Sequence, residues 1–159
     1  MKTAEQWIHE LGLSEHPEGG FYREAYRSEL FIEPEGFNGG RNVCTHIYYL
    51  LKDDQVSLLH RIKSDEIWHF YAGTHLEVSM FNAKGAVDVL NLSGEEPCGV
   101  VPSGAWFGAW LPEGGFALVG CTVAPGFDFS DFEMAEREAM LSQYPAHQAV
   151  ISRLTLACN

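Results

Sequence analysis

The 159-residue sequence predicts an all-β barrel or sandwich with a helix at either end, on three observations. Short runs of β-branched and aromatic residues recur from residue 20 to 123, divided by turn clusters. Both flanks instead carry capping-box pairs, Thr3 with Gln6 and Ser130 with Glu133. Apolar residues make up 46% and charged residues 20%, the balance of a globular chain, with length enough for one domain over 1–159 and a sizeable core.

The first helix runs from Thr3 to near Gly12, with Trp7, Ile8 and Leu11 on its buried face. Strands are expected near 20–27, 43–51, 56–62, 66–71, 75–81, 87–91, 98–102, 106–111 and 116–123. The turns between them include "PEGFNGG", "KDD", "NAKG", "SGEEP" and "PEGG". So many short strands call for closure or stacking, either of which hides sheet edges. A second helix is expected from Ser130 to about Gln143, stopping before Pro145, and a short helical piece over 147–153.

No stretch approaches the roughly 20 apolar residues of a membrane helix. The start, "MKTAEQWIHELG", lacks the apolar run of a signal peptide, and a cytoplasmic protein is expected. A net charge of −12 repels a phosphate backbone and argues against nucleic-acid binding. A small phosphorylated ligand stays open, because a few local arginines suffice. Cys44, Cys98, Cys121 and Cys158 form no C-x-x-C pair; Cys44 and Cys121 are expected as small core residues.

The chemistry concentrates in "HRIKSDEIWH", residues 60–69. Strand alternation places Val56, Leu58, His60 and Ile62 on one face, and Glu66, Trp68 and Phe70 on a face of the next strand, with His69 turned away. A histidine and a glutamate among apolar neighbours then face an interior, where an uncompensated carboxylate costs on the order of several kcal/mol. Either function or a plain structural partner accounts for that cost. Tyr49 shares a face with Thr45, Ile47 and Leu51, and Tyr48 with His46 and Leu50; Tyr49 is the better candidate for the interior, because its face is more apolar. In "FYREAYRS" Arg23 and Arg27 fall on one face with Phe21, as a phosphate or carboxylate clamp or as a solvated face. Asp128 is placed near a barrel mouth, Ser130 and Asp131 at the second helix start, and "HPEGG" (16–20) in a turn whose glycines admit close backbone approach.

"HRIKSDEIWHFYAG", His60 to Gly73, resembles the first motif of the cupin superfamily: His-x-His, three or four residues, Glu, six residues, Gly. "VPSGAWF", Val101 to Phe107, resembles the second, Pro-x-Gly-x-x-His. The blocks "HPEGGFYREAYR", "SDEIWHFYAG" and "GCTVAPGFDFSDF" are similar to a branch of small cupin-like proteins, some catalogued as sugar epimerases. The resemblance implies a double-stranded β-helix, or jelly roll, usually dimeric; the segment 20–27 is the candidate for contact between subunits. Ile62 and Phe107 stand where the pattern has histidines, leaving His60 and Glu66 of four ligands. Too few donors remain for a usual zinc site, and neither metal nor other cofactor is expected. Metal-free cupins include sugar-nucleotide epimerases. By that resemblance His60 is a candidate base, Glu66 its orienting group or a second proton carrier, and Tyr49 the acid. Trp68, Phe70 and Phe107 would wall a sugar-sized pocket, with Arg23, Arg27 and Asp128 at its rim. A ligand-binding cupin without chemistry, and a metal-dependent cupin using His60, Glu66 and a further donor, are the alternatives.

Overall fold

The computed structural model describes residues 2–157; Cys158 lies outside them. Helix α1 (Ala4–Leu11) begins where both halves of the Thr3/Gln6 capping box form and ends at Gly12, in the left-handed region at φ 60°. The strands are β1 (Ser14–Glu15), β2 (Phe21–Arg27), β3 (Phe31–Ile32), β4 (Arg41–Asn42), β5 (Thr45–Lys52), β6 (Val56–Arg61), β7 (Asp65–Gly73), β8 (Leu76–Phe81), β9 (Val87–Leu92), β10 (Cys98–Val101), β11 (Trp106–Trp110), β12 (Phe116–Ala124) and β13 (Glu133–Met134). Helices α2 (Arg137–Gln143) and α3 (Gln148–Leu154) close the chain.

Two antiparallel sheets face each other. One has the order β1-β2-β5-β12-β7-β10, the other β13-β6-β11-β8-β9, and β3 pairs with β4 as a separate ribbon. This is the jelly-roll barrel with flanking helices. Alternation sends Tyr49, Leu51, Trp68, Val78, Phe107 and Val119 into the shared core. Outside the six-stranded sheet, α1 packs Trp7, Ile8 and Leu11 around buried Leu50 and Leu118. Outside the five-stranded sheet, Met140 of α2 and Ile151 and Leu154 of α3 cover Leu59 and Phe81. No described helix is long and apolar enough to cross a membrane.

The second capping box does not form. Asp128, not Ser130, accepts a backbone N–H, that of Ser130 at 2.8 Å, and opens a 3-10 turn over Phe129–Asp131. Glu133 and Met134 then pair with Arg61 and His60 as a strand, and α2 starts only at Arg137, without a side-chain cap. Asp131 serves no helix. It makes a buried two-toothed ion pair with Arg41, at 2.7 and 2.8 Å. Tertiary partners overrode a local signal.

Candidate functional site

Packing fills one end of the barrel; the other opens into a cavity of about 530 Å3 lined from β1, β2, β5, β6, β7, β12 and the segment 127–132. His60 and Glu66 both line it and are both buried. Tyr49 lines it too, while Tyr48 points to the opposite sheet face and packs edge-on against His46.

The turn at 16–20 delivers a residue that alternation cannot reveal, Glu18. Gly19 and Gly20 adopt φ values of 107° and 74°. A Cβ on Gly19 would lie 2.2 Å from the Val56 carbonyl oxygen, and one on Gly20 2.7 Å from that of Leu50, so only glycine lets the turn press this close. The glycines therefore admit protein backbone rather than ligand. The Leu58 N–H donates to the Glu18 carbonyl at 2.8 Å, and the Tyr49 hydroxyl donates to the Gly19 carbonyl at 2.7 Å.

The Glu18 carboxyl then meets β6 twice. Ser57 Oγ donates to Oε1 at 2.8 Å, and His60 Nε2 lies 3.0 Å from Oε2. Ser57 and His60 reach one carboxyl although three residues apart, because β6 is bulged: Phe107 pairs with His60 but Ala109 with Ser57. The bulge also breaks the expected face. Val56 joins the outer cluster under the helices, and Ser57 takes the inner position.

His60 Nδ1 lies 2.7 Å from the Leu58 carbonyl oxygen. A carbonyl only accepts, so Nδ1 carries the hydrogen, and the Nε2 lone pair faces Glu18. One proton bridges the two groups. Burial pushes the His60 pKa down to about 4 and raises that of Glu18. Both effects favour the uncharged pair, with the bridging proton on the carboxyl. The Phe107 and Phe132 rings flank the imidazole, at centroid distances of 4.2 and 5.3 Å. His16 accepts the Glu18 N–H on Nδ1 at 3.1 Å, which leaves its hydrogen on Nε2 when neutral; burial lowers its pKa.

Glu66 differs in having almost no protein partner. The Cys121 thiol stands beside it, and burial above all lifts its pKa to about 8. It is 7% exposed. Its carboxyl is thus a protonated acid that fronts the cavity. Cys121, expected in the core, is buried yet lines the cavity, with its thiol pKa pushed up by burial; Cys44 is only half-buried.

Several expected residues fall elsewhere. Trp68, Phe70 and Phe107 do not line the cavity; they pack into the core that floors it. Besides Tyr49, the aromatic lining comes from Tyr22, Phe127, Phe129 and Phe132. Arg23 and Arg27 are not on one face, because the pairing of β2 with β5 shifts register between Glu24 and Tyr26. Arg23 sits opposite Tyr48, its guanidinium over that ring at 5.5 Å. Arg27 sits opposite Thr45, on the cavity side. Tyr49 lends its proton to Gly19, and burial pushes its pKa well above its ordinary value, so it braces the turn. Asp128 does reach the cavity mouth, where its bonds to Ser130 hold its pKa below the usual range. His69 is on the outer sheet face, sharing the Thr122 hydroxyl with His46.

The donor set does not fit the metal that the cupin motifs imply. Ile62 and Phe107 put hydrocarbon at two of the four ligand positions, and Glu18 occupies His60 Nε2. Among the described residues no three His, Cys, Asp or Glu side chains are disposed to hold a metal ion.

Known proteins match this chain along most of its length. A structure of protein SO0799 from Shewanella oneidensis is 41% identical over 99% of this chain and 100% of its own, with a TM-score of 0.90. A hypothetical protein from Leishmania major is 34% identical over 98% of this chain and 100% of its own, also at 0.90. The uncharacterized protein YML079W of Saccharomyces cerevisiae is 32% identical over 86% of this chain and 77% of its own length. The family model described as Cupin superfamily (DUF985) matches residues 5–135. With both cupin-like motifs on one jelly-roll barrel, the chain belongs to that family of the cupin superfamily.

Proposed function

We propose that the cavity moves a proton at carbon beside a carbonyl, isomerising or epimerising a sugar derivative. One observation carries the reading: a buried neutral imidazole and a buried protonated carboxyl front the same cavity, pushed in opposite directions, to about 4 for His60 and about 8 for Glu66. Groups driven apart in this way mark a base and an acid. The Glu18–His60 pair acts as one base, and Glu66 as the acid.

The step balances. The substrate C–H bond breaks and its proton passes to the Glu18 carboxyl as the bridging proton moves onto His60 Nε2. The electron pair enters an enol as Glu66 gives its proton to the carbonyl oxygen. Leu58, through Nδ1, and the flanking rings steady the imidazolium so formed. Proton return at the neighbouring carbon, or on the other face, gives the isomer or epimer. Deuterium uptake from heavy water into a panel of keto and aldo sugars tests this. His60→Asn should cut uptake by about 100-fold or more and Glu66→Gln by a similar factor, with melting little changed, at pH 5 for the second variant. Binding without uptake by the wild type would leave a ligand-binding cupin instead. Near-stoichiometric metal in protein purified without an affinity tag, lost in His60→Ala, would overturn the metal-free reading.

The assembly belongs to the same proposal: a homodimer. The outer face of the six-stranded sheet beyond α1 presents Arg23, Tyr26, His46, Tyr48, His69 and Tyr71, of which Arg23, Tyr26 and Tyr71 are exposed. None is acidic, in a chain with 22 acidic residues, so these side chains bring no carboxylate against a second copy. A monomer by light scattering across working concentrations would refute the dimer.

A further inference from the structure

The lining of the cavity selects by charge. Four acidic side chains line it, Glu18, Glu24, Glu66 and Asp128, and one arginine side chain, Arg27; Arg23 borders it but faces outward. Arg27 already has its anion. Glu24 takes its guanidinium fork in both teeth, at 2.9 and 2.7 Å, while Nη1 donates to Asn42 Oδ1 at 2.9 Å and to the Phe127 carbonyl at 3.1 Å. Arg23 rests its charge on Tyr48. Arg41, whose charge also acts on Asp128, is tied to Asp131, Ser130 and three backbone carbonyls.

A phosphate entering here finds the Arg27 fork already filled and Arg23 turned to the outer sheet face, and meets the ionised Asp128 at the mouth. Volume does not decide, since cavities of roughly 300–1,000 Å3 admit both sugars and larger ligands. The uncharged surface suits a sugar instead. Ile47, Ile62, Val123 and Phe132 offer apolar contact to ring carbons, Ser14 stands at the rim where a hydroxyl can bond, and the partner-poor Glu66 carboxyl awaits an oxygen.

We infer that the cavity takes a free, uncharged polyhydroxylated carbonyl compound, and that Glu24, by filling the Arg27 fork, excludes its phosphorylated and nucleotide-linked forms. The inference rests on the proton-transfer reading for the word carbonyl, but not for the charge filter. Sugar-nucleotides, which the cupin resemblance suggested, are thereby set aside.

The test is titration calorimetry at fixed ionic strength with a panel of free aldoses and ketoses, fructose 6-phosphate and inorganic phosphate, on wild type and Glu24→Gln. The wild type should bind at least one free sugar and bind both phosphates at least tenfold more weakly. Glu24→Gln should tighten phosphate and fructose 6-phosphate at least tenfold, and Glu24→Gln with Arg27→Gln should lose that gain. Glu24→Ala supplies the same contrast if the glutamine variant folds poorly. Wild-type protein that binds the phosphates as well as free sugars, or binds no free sugar, overturns the ligand class; an unchanged phosphate affinity in both Glu24 variants overturns the filter. Binding that follows this pattern without deuterium uptake sinks the proton-transfer reading alone.

Discussion

The two ends of the barrel are built from the same strands and obey different rules. At the packed end, Trp68, Leu76, Val78, Leu92 and Phe107 are each almost wholly buried, and alternation decides which side chains point in. At the open end, two glutamates and two histidines sit in or near burial, and irregular backbone decides who meets whom: the Gly19–Gly20 turn, the bulge in β6 and the register shift in β2. The packed end supplies stability and the open end expends part of it on poised titratable groups. Substitutions at the two ends should therefore differ in kind.

The largest effect is expected at the floor between them. Phe107→Ala deletes a ring at 1% exposure that also flanks His60, and should cost about 3–5 kcal/mol in denaturant unfolding. A cost under about 1 kcal/mol would mean that the packed end collapses onto its cavity, and that the contrast drawn here is wrong.

Next comes Glu66→Gln, which should stabilise increasingly as pH rises from about 4.5 to about 8. The folded pKa of Glu66 is raised from 4.5 to about 8, so the folded state holds a proton that the unfolded chain releases. Stability from this group is complete below about 4.5 and is lost as pH rises through about 8. Glutamine does not titrate. At pH 9 the variant should exceed the wild type by about 2–4 kcal/mol, on about 1.4 kcal/mol per pKa unit discounted for water in the cavity, and at pH 5 the two should agree. His60 runs oppositely: its folded pKa of about 4 against 6.5 makes stability fall as pH drops through that window. The wild type should therefore be most stable between the two limits. Parallel pH–stability curves for wild type and Glu66→Gln would show that Glu66 is ionised in the fold.

A smaller loss should follow Ser57→Ala. It removes the 2.8 Å donor to Glu18 Oε1 and leaves a buried acceptor short of one bond, about 1–2 kcal/mol. Because Glu18 is shared with His60, the same variant should lower deuterium uptake more than a substitution at the packed end of equal thermodynamic cost. Equal losses would make the open end merely structural.

The sequence announces the packed end and conceals the open one, for a physical reason. Strand alternation, turn clusters and the Thr3/Gln6 box are local, and the nine expected strands coincide with β2 and β5–β12 to within a residue or two at most ends. Glu66 and Tyr49 are legible as cavity residues because alternation on regular stretches sets them; His60 faces the cavity as expected, but across a bulge that sends Val56, its expected face-mate, to the outer cluster. Glu18 is not legible in this way. It reaches His60 through a turn far upstream, and its one visible sign was an acidic residue ahead of paired glycines in "HPEGG". Arg41 and Asp131 were missed likewise, being partners 90 residues apart. Bulges defeat pattern reading because one extra residue turns every later side chain to the other face. Alternation therefore groups Arg23 with Arg27 and puts Leu58 where Ser57 stands, and the register shifts separate them. The aromatic walls were misplaced for another reason: Trp68, Phe70 and Phe107 do point inward, but inward at that height is core.

The smallest effect is expected from Trp68→Phe, and it probes whether the packed end tolerates a polar atom. Trp68 is 1% exposed, and its Nε1 hydrogen has no bonding partner among the described residues. Two terms oppose each other. Phenylalanine removes an unpaired buried donor, a gain of about 1–3 kcal/mol, and loses part of the indole area together with edge contacts to Tyr49 and Phe107, at centroid distances of 6.0 and 6.3 Å, a loss of similar size. The net change should stay within about 1 kcal/mol of zero in chemical unfolding at pH 6, with deuterium uptake unaltered, since Trp68 does not line the cavity. A destabilisation above about 3 kcal/mol would reveal a partner for the indole N–H, an enclosed water or an aromatic face, and the floor of the cavity would then be a hydrogen-bonded layer instead of a purely apolar one.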